Sequence, residues 1–97
     1  MILHILLLQP KPETTAEEMQ IILEKVKALR EKIPGIVEIQ ASANRNTFNQ
    51  GYTYGFVMTF VDEDHLKAYS PHPEHKAVSS ELRRLCEKLL NFDIAKE

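Results

Sequence analysis

The chain predicts an α+β fold, a four-stranded antiparallel sheet built in the order β-α-β-β-α-β with its helices on one face. Three observations carry that expectation. Two strand-like apolar runs, "ILHILLL" and "YTYGFVMTFV", stand far apart in the chain. Stretches with an apolar residue at every third or fourth position lie between and after them. The breaks "QPKPE", "PG" and "SPHP" cut the sequence into elements of ordinary length. A split β-α-β order of this kind sets both helices on the same side of the sheet.

Residues 2 to 8 are apolar except for His4, the pattern of a strand covered on both faces. "QPKPE" ends it. Thr15 with Glu18, or Thr14 with Glu17, makes a capping-box start for the first helix. Met19, Ile22, Leu23, Val26, Leu29 and Ile33 then form one apolar stripe, which Pro34-Gly35 stops. "IVEIQAS" reads as the second strand and "ANRNTFNQG" as a polar loop, with Gly51 supplying turn freedom. In "YTYGFVMTFV", Tyr52, Tyr54, Phe56, Met58 and Phe60 share one face; Thr53, Gly55, Val57, Thr59 and Val61 share the other. "DEDHLKAY" is a short helix capped by Asp62. After the SPHP break a longer helix runs to about Leu89 and carries Cys86, and Leu90, Phe92 and Ile94 alternate with Asn91 and Asp93 as the last strand.

The first and third strands are apolar on both faces, and the helices can cover only one. Soluble monomers rarely leave such a face to water. A second copy, sheet against sheet, buries both surfaces and predicts a homodimer. Where the small side chains of Ala41, Thr53 and Gly55 meet, that closure would leave an inter-sheet cavity.

Composition narrows the function classes. The 97 residues make one domain, 1–97, of ordinary soluble character, with 43% apolar and 27% charged residues. A formal net charge of -2 offers no basic footprint for nucleic acid. The single Cys86 forbids an internal disulfide and points to a reducing, cytoplasmic compartment. "MILHILLLQP" has no basic n-region or small-residue cleavage site, and it is shorter than the roughly 20 residues of a membrane span.

Several stretches together resemble one family. "HILLL", "IPGI", "GYTYGFVMTF", "AYSPHPEHKAV" and the terminal "FDI" are similar, in order and spacing, to the stress-responsive dimeric α/β-barrel (Dabb) proteins. The resemblance spans almost the whole chain. It implies a ferredoxin-like fold, a dimeric α+β barrel closed sheet to sheet, and a stress-response role; no cofactor is expected, and any enzymatic activity is expected to be metal-independent. One plant member is a polyketide cyclase that uses a tyrosine and the second histidine of Y-x-x-H-P-x-H as its acid/base pair. Those positions are Tyr69 and His75 here, and the cavity histidine of the first strand matches His4. The chain departs from the family at Tyr54, which stands where GYTH has histidine, and at "ASAN", where a glycine is common. Ile22, Leu23 and Val26 occupy the places of the cyclase's pocket aromatics. Some members hold a cation near the end of the first helix, residues 33 to 36 here.

The histidine stretch explains how such chemistry would work. Pro73 suits the first helical position, which makes His72 the cap and His75 a first-turn residue. The positive end of the helix dipole disfavours a protonated imidazole there, so His75 is expected neutral, a base with Tyr69 as donor. The competing expectation is structural: His72 caps, His75 bonds a carbonyl and Tyr69 packs. His4, Tyr54, Phe56 and His72 are the candidate ligand-binding residues. His72 and His75, with His65, Asp62 or His4, fall short of a strict metal motif. Three functions follow: a barrel that binds a small apolar or aromatic carbonyl compound, a cyclase- or lyase-like enzyme working through His75 and Tyr69, or a structural stress protein with a filled barrel. Cofactor-free oxygenase chemistry, known on other dimeric α+β barrels, finds no tryptophan or clear acid/base network here.

Overall fold

The computed structural model describes residues 1–96. Strand β1 (Ile2–Pro10) is followed by α1 (Ala16–Ala28), a 3₁₀ turn (Leu29–Glu31), β2 (Ile36–Ala43) and β3 (Tyr54–Phe60). Helices α2 (Glu63–Tyr69) and α3 (Pro73–Leu85) and strand β4 (Cys86–Ala95) complete the chain. The sheet is antiparallel with strand order β2-β3-β1-β4, so the two most apolar strands lie at its centre.

The local signals act as their chemistry requires. Thr15 caps α1: its hydroxyl accepts from the Glu18 N–H, and the Glu18 carboxylate accepts from the Thr15 N–H at 3.0 Å. Gly35, at φ +90°, makes the left-handed turn out of the helix region, a conformation costly for a residue with a Cβ. In the loop after β2, the Asn44, Asn46 and Asn49 carbonyl oxygens or amides bond nearby backbone, so the polar stretch braces itself.

Two boundaries differ from the sequence expectation. Helix α3 stops at Leu85 rather than near Leu89, and Cys86 opens β4 instead of lying on the helix. The reason is tertiary. The Leu85 carbonyl accepts from the Lys11 N–H at 3.0 Å and from the Thr14 hydroxyl at 2.7 Å, groups of the β1–α1 connection. The following residues then pair with β1, Leu89 opposite Leu8 and Lys88 opposite Gln9. The second difference is at β3, which begins at Tyr54 and leaves Tyr52 in the turn before it.

Register decides which side chains meet. Leu6 and Leu8 of β1 and Phe56, Met58 and Phe60 of β3 are buried beneath the helices, where they join Met19, Ile22, Leu23 and Val26 of α1. Tyr54 packs half-buried against the same core. Phe56, Met58 and Phe60 thus face the helices of their own protomer.

The opposite face carries Leu3, Ile5 and Leu7 of β1 and Val57 of β3. From β4 it carries Leu90, Phe92 and Ile94, which are 47%, 57% and 46% exposed. On β2 the same face is polar, with Glu38, Gln40 and Ser42. The uncovered patch is therefore displaced towards β4, where Leu90, Phe92 and Ile94 alternate with Asn91 and Asp93. No helix of the described residues is long and apolar enough to cross a membrane.

Candidate functional site

The broken second helix makes a corner. α2 ends at Tyr69, Ser70 and Pro71 turn the chain, and α3 starts at Pro73 with His72 as its cap. The His72 N–H donates to the Tyr69 carbonyl at 3.1 Å, which closes the turn. The corner sets Tyr69 and His75 against each other, ring centroids 4.3 Å apart and planes tilted by 51°.

Spacing on α3 places the next groups. His75, Ser79 and Arg83 follow at i, i+4 and i+8 and so lie along one side of the helix, beside Val78 and Leu82. That side looks onto the helix-facing residues of β1 and β4. Between them is a cavity of about 240 Å³. Leu6, Phe56, Val78, Leu82 and Leu89 supply its apolar wall; His4, Tyr69, His75, Ser79, Arg83 and Asn91 supply its polar groups.

The histidines are held in defined states. His75 Nδ1 lies 2.9 Å from the Ser70 carbonyl oxygen. A carbonyl only accepts, so Nδ1 carries the proton and Nε2 of the neutral ring keeps its lone pair. Burial lowers the His75 pKa from its ordinary value. The Ser70 bond opposes this, and the positive potential of His4, Arg83 and His72 adds to it. Burial rather than the helix dipole is thus the main reason His75 favours the neutral form. Tyr69 is buried, and desolvation pushes its phenol far above the ordinary value, so it remains a protonated donor. His4 donates from Nδ1 to Asp93 Oδ1 at 2.6 Å across the β1–β4 ladder, and its ring meets that of Tyr69 edge-on at 5.6 Å.

Four of the six residues singled out from the sequence, His4, Phe56, Tyr69 and His75, border one cavity. The other two do not. His72 Nδ1 accepts from the Glu74 N–H at 3.1 Å and caps α3 outside the cavity wall, and Tyr54 lies further along β3. This cavity lies between the sheet and helices α2 and α3 within one protomer, on the opposite side of the sheet from the face expected to meet a partner. A separate, more open hollow of about 260 Å³ occurs around Gly55, where the inter-sheet cavity was expected, and it is bordered by Ile5, Leu7 and Val57 together with Tyr54 and Phe56. Ile22, Leu23 and Val26 touch neither space; they are core.

Asp93, Asn91, Ser79 and Arg83 were not recognised as site residues from the sequence. For Ser79 and Arg83 the signal was present as helical spacing from His75. For Asn91 and Asp93 it lay in the strand pairing, which sets them opposite Leu6 and His4. The histidines considered for a metal are committed separately, His4 to Asp93, His65 to Asp62 at 2.7 Å, His75 to Ser70 and His72 to the α3 backbone. Among the described residues no three His, Cys, Asp or Glu side chains gather to hold a metal ion.

A helix-covered antiparallel sheet in this strand order, with its site at the α2–α3 corner, defines a ferredoxin-like α+β barrel protomer. The chain belongs to the stress responsive A/B barrel domain (Dabb) family, whose model matches residues 2–96. It is similar to a stress-response A/B barrel domain-containing protein of Arabidopsis thaliana, 26% identical over 94 residues that cover 95% of this chain and 85% of the relative. A dimeric ferredoxin-like protein of unknown function from Jannaschia sp. CCS1 shares 27% identity, with a TM-score of 0.86 over 98% of each chain. The hydroxynitrile lyase of Passiflora edulis has the same fold, with a TM-score of 0.89 over 99% of this chain and 93% of its own, at 16% identity.

Proposed function

We propose that this chain acts in stress response as a homodimer whose protomers each bind a small apolar or aromatic carbonyl compound beside Tyr69 and His75. The observation that carries the reading is the pairing of a neutral imidazole with a protonated phenol, 4.3 Å apart, on the wall of a partly apolar cavity. A cavity of about 150 Å³ is enough to take up benzene, so about 240 Å³ suits a single substituted ring. The uncovered apolar face of β1, β3 and β4, and the dimeric state of the Jannaschia relative, support closure sheet to sheet. The free, buried thiol of Cys86 fits a reducing cytoplasm.

The same pair supports a second reading as a metal-independent cyclase- or lyase-like enzyme. His75 Nε2 would take a proton from carbon next to the ligand's carbonyl. Tyr69 would donate a hydrogen bond to the enolate oxygen that forms. In an aldol closure the enolate carbon then bonds to a second carbonyl carbon, and the imidazolium returns its proton to the resulting alkoxide. Titration of the purified protein with a panel of aromatic aldehydes and methyl ketones, followed by NMR of the His75 ring, tests both readings. Binding that shifts the His75 signals and is lost in His75→Ala supports the site. Binding unaffected by His75→Ala removes it, and proton exchange into a bound ketone at the same rate in His75→Ala removes the base.

A further inference from the structure

Strand β4 is the least anchored part of the cavity wall. Its outer half, Leu90 to Ala95, buries no side chain in the protomer; every residue in it is exposed. It is an edge strand, bonded through its backbone to β1 alone. The other edge strand is held differently, because Ile36, Ile39 and Ala41 of β2 pack into the core under the helices. An edge without buried side chains sits at the low end of local stability and opens independently of the rest of the fold. Yet this half of β4 serves the cavity. Asn91 lines it, and Asp93 holds the His4 imidazole at 2.6 Å, a ring that is itself part of the wall and meets Tyr69 edge-on.

Strand alternation joins the two surfaces. Asn91 and Asp93 face the helices, opposite Leu6 and His4 of β1, while Leu90, Phe92 and Ile94 face the side on which a second copy closes. Burying that apolar triplet against a partner fixes the backbone that carries the two polar residues. The geometry points to a cavity that is complete only in the dimer: the second copy clamps β4 from outside, and β4 in turn holds Asn91 and the Asp93–His4 pair in place inside.

This rests on the proposed sheet-to-sheet dimer and carbonyl-binding cavity, and it adds that the first controls the second. In the separated protomer the strand opens more often, and the Asp93–His4 bond opens with it, so the imidazole loses its fixed orientation beside Tyr69. No residue of the partner has to reach the ligand for this to hold. Binding free energies are reciprocal, so a molecule seated in the cavity tightens the dimer, per site, by the same factor by which the dimer tightens its binding.

The experiment separates the protomers in two ways. Phe92→Glu puts a charge on the apolar triplet itself. Val57→Glu puts one on the same face of β3, two strands away from β4, so an effect common to both variants comes from the lost partner and not from an altered β4. Neither side chain borders the cavity. Sedimentation checks that both variants are monomers, and near-ultraviolet circular dichroism that they are folded. Amide hydrogen exchange from Asn91 to Ala95 should quicken roughly tenfold in both, with β3 still protected, and acetophenone should bind both roughly tenfold more weakly than wild type in an NMR titration. Saturating acetophenone should also lower the Kd of the wild-type dimer. Monomers that bind acetophenone as tightly as the dimer, or a loss confined to Phe92→Glu, overturn the inference and leave the dimer and its cavity standing. A wild type that is itself monomeric, or that takes up no acetophenone, overturns the inference together with the reading on which it rests.

Discussion

Phe92→Ala tests the proposed sheet-to-sheet contact separately from the stability of the protomer. Phe92 is 57% exposed on the outer face of β4 and contributes nothing to the buried core. A phenylalanine carries on the order of 200 Å² of surface, so its exposed part leaves roughly 100 Å² to be covered by a partner. At about 25 cal/mol per Å², losing most of that burial costs about 2 kcal/mol per subunit. A two-fold interface counts the residue twice, so the dimer loses about 4 kcal/mol, roughly a thousandfold in Kd. Sedimentation equilibrium on wild type and variant measures the ratio directly, with thermal melting by circular dichroism as the control for folding. A dissociation constant changed by less than about threefold would refute the placement of this face in the interface.

Four further outcomes follow from particular contacts. The His75 imidazole should titrate below its ordinary value of 6.5 in an NMR pH series, because burial lowers its pKa. Its contribution to stability is then present above the unfolded pKa and is lost as pH falls through the folded value; His75→Gln should flatten that segment of a stability–pH profile. Tyr69→Phe keeps the packed ring and removes only the hydroxyl, so ligand affinity should fall by roughly tenfold while the melting temperature moves little. Phe60 is fully buried at the core, and Phe60→Ala should cost about 3–5 kcal/mol in urea unfolding. Thr15→Ala removes one half of the α1 capping box and should cost about 1 kcal/mol in the same assay.

Much of this architecture was legible because the signals are local. The Thr15–Glu18 box, the stripe from Met19 to Ile33, the turn at Pro34-Gly35 and the Pro73 helix start each depend on residues a few positions apart. The end of α3 was not legible, since no glycine or proline marks it. It is set by Lys11 and Thr14 reaching the Leu85 carbonyl from a connection more than seventy residues earlier in the chain. The site divides in the same way. Tyr69 and His75 stand on one short stretch, and the family resemblance points to them and to His4. Asp93 and Asn91 acquire a role only through pairing with β1, and strand register is invisible in a single sequence. The side of the sheet on which the cavity lies had the same origin. Alternation told which residues travel together, but not which set faces the helices.

A crystal structure of the protein soaked with an aromatic methyl ketone addresses the site most directly. Electron density for the ring enclosed by β1, β4 and the α2–α3 corner, in van der Waals contact with the His75 imidazole in every subunit, is the predicted result. Density lodged instead against Gly55 on the far side of the sheet, with the His75 cavity holding only water, would contradict it.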